Sequence, residues 1–416
     1  MKILAIETSC DETGVCVLEQ ATSHGDVGLL ANALASQIDI HSQYGGVFPA
    51  LAKRAHTDKI IPLLTDALTQ AGLLVEGKGT TGTTAKETIT ALCTKDTQLA
   101  EYLEVFLNSC SKPAIDYIAV TVGPGLEPAL WVGVNTARVL SVVWDIPIIP
   151  INHMEGHVVT AAFEEIESGK WKVEGKREQK RYTLKNLQFP VLALLVSGGH
   201  TELVIAEAFG TYKKIGKTRD DAVGEAFDKV ARMLGLPYPG GPAISKLAAG
   251  FRMTETQNPF SLPRPMLHSN DYDFSFSGIK TAVLYAIRDH GEMNDVDKMA
   301  MACEFENAAI EVLVKKTLTA AAEFHTPTII VGGGVAGNTY LRKQLTTLSR
   351  QGLGSTNVLF PEPWLATDNA IMIGMAAITR LLPTNREGGQ AQLNAGQIKK
   401  SAPENLRADG NLSIDN

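Results

Sequence analysis

Two strand–turn–strand patterns with polar tips constrain this chain more than any other feature. Lys2-Ile3-Leu4-Ala5-Ile6 reads as a short buried strand, Glu7 to Gly14 as a polar turn, and Val15 to Leu18 as the return strand. About 190 residues later the layout returns. Val191 to Val196 is an apolar run, Ser197-Gly198-Gly199-His200-Thr201 a small polar turn, and Leu203 to Ala206 the return. The pair predicts two similar lobes facing a cleft, although two hairpins can also arise by coincidence. Ala50 to Leu68, Val132 to Val143, Thr218 to Leu234 and Asp368 to Arg380 have helical spacing. Tyr117 to Val122, Ile146 to Ile151 and Thr328 to Val331 read as strands, and this interleaving makes the class α/β.

A length of 416 residues exceeds one ordinary core and predicts two or three domains. The expected division is a first lobe over 1–150, completed by a helix over 366–382, and a second lobe over 151–365. Residues 383–416 turn polar and are expected to form a loosely held tail. Gly77 to Thr84 and Lys170 to Lys185 read as loops. Apolar residues at 44% and charged residues at 20% exclude wholesale disorder. The net charge of −7 does not advertise a nucleic-acid binder, but a local basic patch works on an acidic protein. The five cysteines form no C-x-x-C pair, which fits a reducing cytoplasm. No signal segment is expected, because Glu7 interrupts the apolar start, and Asp145, Pro147 and Pro150 break the longest apolar stretch.

His153-Met154-Glu155-Gly156-His157 places two imidazoles at i and i+4 on one helix face, where they can hold one metal or be incidental. Glu155, about 200° round the helix from His153, points away from where a hydrolytic base would stand. Asp368 is the candidate third ligand, yet an Asp just before an apolar helix is ordinarily its N-cap. The Gly-rich turns at Ser197-Gly198-Gly199 and Gly332-Gly333-Gly334-Val335-Ala336-Gly337-Asn338 can cradle phosphate or serve as tight connections. Asp221, Glu225 and Asp228 share a helix face that is either solvated or aimed at sugar hydroxyls. Lys170, Lys172, Lys176, Arg177, Lys180, Arg181 and Lys185, with Trp171 and Tyr182 among them, make a solubilising loop or a phosphate-backbone contact. His200 is a cleft candidate; His24, His290 and His325 read as surface residues.

Taken in order, these motifs resemble the bacterial-type tRNA N6-adenosine threonylcarbamoyltransferase family (TsaD family). The resemblance runs from Met1 to about Arg380 and adds Tyr44-Gly45-Gly46-Val47, Arg54-Ala55-His56, Pro239-Gly240-Gly241-Pro242 and Phe274 to Lys280. It implies the actin, sugar-kinase and Hsp70 ATPase-like (ASKHA) fold, with two lobes of duplicated topology around a nucleotide cleft. It implies transfer of L-threonylcarbamoyl from threonylcarbamoyl-AMP to N6 of adenosine 37 in ANN-decoding tRNAs. His153, His157 and Asp368 would then ligate one divalent metal, iron by resemblance with zinc as the alternative. Leu195, Val196, Ser197, Gly198, Gly199, Asp228, Gly241 and Asn338 would hold the adenylate, with Asp11 and Glu12 at the reacting centre. The implied partners are a smaller inactive paralogue (TsaB type) and a small ATPase (TsaE type), besides tRNA and the adenylate.

Ala50 stands where the family generally has Glu, Glu127-Pro128 alters the stretch after Gly123-Pro124-Gly125, and the Gly77–Asn108 and Lys170–Lys185 regions are longer than typical. The rival readings are an ATPase or kinase of the same superfamily and, disfavoured by the placement of Glu155, a metalloprotease.

Overall fold

The computed structural model describes residues 1–20, 26–77, 79, 83–166, 180–254, 256–354, 356–382 and 403–415. The first lobe runs through β1 (Lys2–Glu7), β2 (Glu12–Gln20), β3 (Val27–Ser36), α1 (Ile38–Ser42), α2 (Pro49–Gln70), α3 (Thr83–Leu92) and α4 (Thr97–Ser109). It continues through β4 (Tyr117–Gly123), α5 (Glu127–Trp144) and β5 (Ile148–Asn152). After α6 (His153–Ala162), β6 (Phe163–Ile166) and β7 (Arg181–Leu184), the second lobe starts with β8 (Val191–Val196), β9 (Thr201–Ala208) and β10 (Thr211–Lys217). Then come α7 (Val223–Met233), α8 (Gly240–Arg252), α9 (Ser277–His290), α10 (Asp295–Glu323), β11 (Thr328–Gly332), α11 (Thr339–Gly352), β12 (Asn357–Leu359) and α12 (Ala370–Leu381).

The two sheets repeat one topology. The first has the order β5-β4-β1-β2-β3, extended past β3 by β7 and β6, and the second has the order β12-β11-β8-β9-β10. In each, three antiparallel strands form a meander and two more lie parallel to its first strand. The duplication read from the two hairpins is therefore a property of the whole lobe, and the architecture is α/β with two lobes of one repeated topology.

Strand alternation decides what each face packs against. Leu4, Ile6, Val15 and Val17 face the outer helices of the first lobe, whereas Ile3, Ala5, Cys16 and Leu18 pack with α12. In the second lobe Leu192, Leu194 and Val196 join an outer core with Phe227 and Phe305, whose rings meet edge-on at 4.9 Å. Ala193 and Leu195 face inward, onto Met154, Val158 and Ala161 of α6. Each such fully buried aliphatic side chain contributes about 1.5–3 kcal/mol. Two helices thus fill the layer between the sheets, α12 against the first and α6 against the second.

A buried ion pair joins those helices. Glu155 of α6 is fully buried, and its Oε1 accepts from Arg380 Nε at 3.0 Å, while Arg380 Nη2 donates to Oε2. Arg380 Nη1 also donates to the Pro150 carbonyl at 2.8 Å.

Four local expectations differ. Of the loop read over 170–185, residues 170–179 lie outside the described residues, and Arg181–Leu184 form β7, paired with β3 and β6. The helix predicted from Thr218 begins only at Val223, because Asp220 is drawn away to accept from the Phe276 amide at 2.8 Å and from the Ser275 and Ser277 hydroxyls. Of the loop expected at Gly77 to Thr84, residues 78 and 80–82 lie outside the described residues, and helix begins at Thr83. Of the expected tail, 383–402 lie outside the described residues, but 403–415 dock. Leu406 and Ala408 join the first lobe's core, the Asp409 amide donates to Val122 O at 2.8 Å, and Ile414 enters the cluster around Met154 and Leu195. The apolar spacing of Leu406, Leu412 and Ile414 is what ties down this polar segment.

Replacing Glu155 by Ala strands the Arg380 guanidinium, and is expected to cost about 3–5 kcal/mol in urea unfolding.

Candidate metal centre and cleft

α6 starts where β5 ends, with Asn152 as its N-cap accepting from the Met154 amide at 2.9 Å. His153 and His157, one turn apart, are buried with their rings edge-to-face at 4.8 Å. α12 supplies the third group through its cap. Asn369, not Asp368, is the N-cap, its side chain accepting from the Met372 amide at 3.0 Å. Asp368 is thereby released to face the histidines, its Oδ1 lying 3.1 Å from His157 Nε2 and 3.3 Å from His153 Nε2. The ligand atoms of the three residues lie within 4.8 Å of one another. Two imidazole nitrogens and one carboxylate oxygen at these separations suit a divalent ion with open positions.

The electrostatics agree with a site built for positive charge. Burial alone would raise Asp368, but the two histidines hold its carboxyl well below the usual range. Burial alone would depress His153, but the Asp368 and Glu7 carboxylates hold it well above its ordinary value. His200 is pushed down to about 4, by burial first and then by His153 and His157, so it stands beside the centre as a neutral ring. Behind His153, Glu7 Oε2 and Ser9 Oγ approach its Nδ1 at 3.3 and 3.1 Å.

The β1–β2 tip brings Asp11 and Glu12 to the same region. His56 of α2 pins that tip, bonding Thr13 Oγ1 at 2.7 Å and the Cys10 carbonyl at 3.0 Å. Glu12 is pushed up to about 10 by burial and by the charges of Asp368 and Asp11. The Tyr238 phenol of the second lobe is raised by burial and then by the charges of Asp11 and Asp228.

Beyond the cluster the cleft opens into a cavity of about 410 Å³. Gly198, Asp228, Gly241 and Asn338 line it, together with Phe227, Ser245, Thr339 and Thr367, which the sequence reading missed. Leu195 and Val196 put their side chains into the cores, and the Ser197 hydroxyl is turned back to accept from the Gly199 and His200 amides. Gly199, exposed in the same turn, and these three residues are not among those lining the cavity. Asp228 accepts from the Gly240 amide at 2.7 Å, and burial raises its carboxyl. Asp221 and Glu225, expected beside it, are instead paired with Lys229, and Asp221 also with Lys280. The Asn338 side chain is held in the cavity wall, its Oδ1 capping α11 through Leu341 N at 2.8 Å and its Nδ2 donating to buried Glu306 at 2.7 Å and to Ser245 Oγ at 3.0 Å.

The glycines divide by what a side chain would meet. A Cβ on Gly332 would stand 2.8 Å from the His157 carbonyl, and on Gly333, at φ +90°, 2.4 Å from the Val196 carbonyl. Those two serve close packing of β11 on α6 and β8. A Cβ on Gly198, Gly241, Gly334 or Gly337 would meet nothing, and these four line the cavity.

Of the basic run, Lys170, Lys172, Lys176 and Arg177 lie outside the described residues. Lys180 pairs with Glu165 at 2.9 Å and covers the Trp364 ring at 4.6 Å.

The sequence matches the family model described as TsaD, tRNA N6-adenosine threonylcarbamoyltransferase, over residues 28–77, 97–170 and 172–375. A relative of that name from Nitrosospira multiformis is 39% identical over 381 residues, covering 92% of this chain and 91% of its own. Those from Ralstonia pickettii and Anaeromyxobacter sp. are 40% and 37% identical, covering 92% and 95% of this chain and 92% and 98% of their own. The chain belongs to this family. For a tRNA N6-adenosine threonylcarbamoyltransferase, the family match spans both lobes, α6 with its two histidines, and the loop carrying Asp368.

The division of the glycines gives opposite expectations. Gly332→Ala should lower thermal or urea stability by about 1–3 kcal/mol through overpacking against α6, while Gly334→Ala should stay within about 0.5 kcal/mol of the parent.

Proposed function

We propose that this chain transfers the L-threonylcarbamoyl group from threonylcarbamoyl-AMP to N6 of adenosine 37 in ANN-decoding tRNAs, releasing AMP. The observation that carries this reading is the junction of a buried His–His–Asp cluster with a glycine-lined cavity, in a member of the tRNA N6-adenosine threonylcarbamoyltransferase family. An ATPase or kinase of this fold needs no such cluster. The metalloprotease reading loses its base, since Glu155 is consumed by Arg380 between the lobes.

An exocyclic adenine amine is a weak nucleophile, so the acyl carbon must be activated and its leaving group good. In the proposed step N6 attacks the carbamoyl carbonyl carbon, a C–N bond forms, the bond from that carbon to the phosphate oxygen breaks, and AMP departs with the electron pair. His153, His157 and Asp368 would hold one divalent ion, iron with zinc as the alternative, which would supply Lewis-acid polarisation and a template for the anhydride. Gly198, Gly334 and Gly337 would present backbone to the adenylate phosphate, and Asp228 would accept from ribose hydroxyls. Leu195, Val196, Ser197 and Gly199 would act by holding the β8–β9 turn that carries Gly198. Asp11 is the acceptor proposed for the amine proton, because Glu12, raised to about 10, keeps its own. A TsaB-type paralogue, a TsaE-type ATPase and a cytoplasmic setting complete the proposal. Among the described residues no helix is long and apolar enough to cross a membrane.

The deciding experiment is transfer of labelled threonylcarbamoyl from its adenylate to an unmodified ANN-decoding tRNA, with the two partner proteins present. Transfer by the parent and its loss in His153→Ala is the expected result; ATP hydrolysis without transfer would favour the ATPase reading. In the same assay Asp11→Asn should lower kcat by about 10²–10⁴-fold, and a near-normal rate would remove Asp11 from the role.

A further inference from the structure

Glu7 was noticeable in the sequence only as the charge that ends an apolar run. In the structure it is the last residue of β1 and is fully buried. Alternation puts it on the inner face of the strand, the one that Ile3 and Ala5 pack against α12. A carboxylate in line with that apolar face is costly unless both its oxygens are used in hydrogen bonds or ion pairs. Glu7 is so used: Oε1 accepts from the Ser9 amide at 2.6 Å, and Oε2 accepts from the Thr121 hydroxyl and lies 3.3 Å from His153 Nδ1.

The fold itself does not ask for this group. The duplicated lobe offers a control, because β8 is also six residues long and is followed by the same kind of turn. The alternation of faces and the register with the parallel neighbour strand match Glu7 to Leu195, a fully buried residue that packs onto Met154 and Val158 of α6. The asymmetry falls on the side where His153 stands.

We propose that Glu7 is a positioning residue that fixes the tautomer and ring orientation of His153, an inference that rests on the reading of the His–His–Asp cluster as a metal site. Both Glu7 oxygens already accept hydrogen bonds, so the contact with Nδ1 forms only when Nδ1 carries the hydrogen. Nε2 faces Asp368 and His157, so a metal that displaces the Nε2 proton meets the ligating lone pair there while the hydrogen stays on Nδ1. Ser9 Oγ, 3.1 Å from the same Nδ1, adds a second acceptor. A histidine held in this way by a carboxylate is the usual outer partner of a ligating imidazole.

The test is cobalt(II) titration of the parent, His153→Ala, Glu7→Ala and Glu7→Gln proteins, with ¹⁵N spectra of the histidine rings in the zinc-loaded state. Glu7→Ala should weaken cobalt binding about 10–100-fold and lose the parent's Nδ1–H signature for His153. Glu7→Gln, whose amide oxygen can still accept from Nδ1, should recover part of both, which a merely structural role would not produce. Parent-like cobalt affinity and ring signature in Glu7→Ala, with binding lost in His153→Ala, would overturn the role of Glu7 alone. Failure of the parent to bind cobalt would overturn the metal reading and this inference with it. If Glu7→Ala does not fold, Glu7→Gln and Thr121→Val carry the same comparison, and unchanged affinity and ring signature in both would reject the role.

Discussion

The structure depends on two helices that share the layer between its sheets. α6 and α12 each pack one flank on a sheet and the other on their partner helix, and Glu155 and Arg380 lock their relative position from inside. Both helices begin at the cleft, so their N-termini bring His153, His157 and Asp368 together without any long loop. Geometry at the centre is therefore set by packing tens of atoms deep. The close approach of Gly332 to the His157 carbonyl extends that control to the second sheet.

Duplication supplies the scaffold, and the departures from it supply chemistry. Both lobes carry the same five-strand order and a hairpin tip that reaches the cleft. The second tip, Ser197 to His200, is small, bonded to itself and topped by glycine. The first, Ser9 to Glu12, is acidic and is fastened by His56. One side of the cleft thus offers close backbone approach and the other offers carboxylates, a division suited to a reaction in which a phosphate departs on one side and an amine arrives on the other. The docked segment 403–415 sits behind the same region, with Gly125 N donating to the Gly410 carbonyl and Asn152 Nδ2 to the Ser413 carbonyl.

Much of this was legible in the sequence where a residue's role is local. The hairpins, the i, i+4 histidines and the glycine runs announce themselves through spacing, and the family resemblance joined them into one site. What spacing could not reveal is how partners compete for a side chain. Asp221 and Glu225 read as sharing the helical face of Asp228, yet α7 starts only at Val223, and Asp221 is taken by Lys280 of α9, 59 residues away, as well as by Lys229. Leu195 and Val196 belong to a motif that lines a cleft, but strand alternation sends both side chains into cores. Glu306, which orients Asn338, lies mid-helix in α10 and carries no local signal at all.

The same competition explains why Asp368 could not be assigned from its neighbours. An acidic residue before an apolar helix satisfies the unpaired N–H groups of the first turn, and Asp and Asn do so about equally well. Thr367-Asp368-Asn369 contains one of each in succession, so only one is needed as a cap. Placing Asn369 in that role costs no buried charge, and it leaves the adjacent carboxylate facing the two histidines. Had the order been reversed, the amide would face the histidines, where it would offer a neutral and weaker donor atom than a carboxylate gives a divalent ion. The order Asp-Asn is thus the one that serves the helix and the charge at the centre together. Glu7 applies the same rule on the far side of His153, where an apolar residue would satisfy the fold but leave the imidazole free to turn.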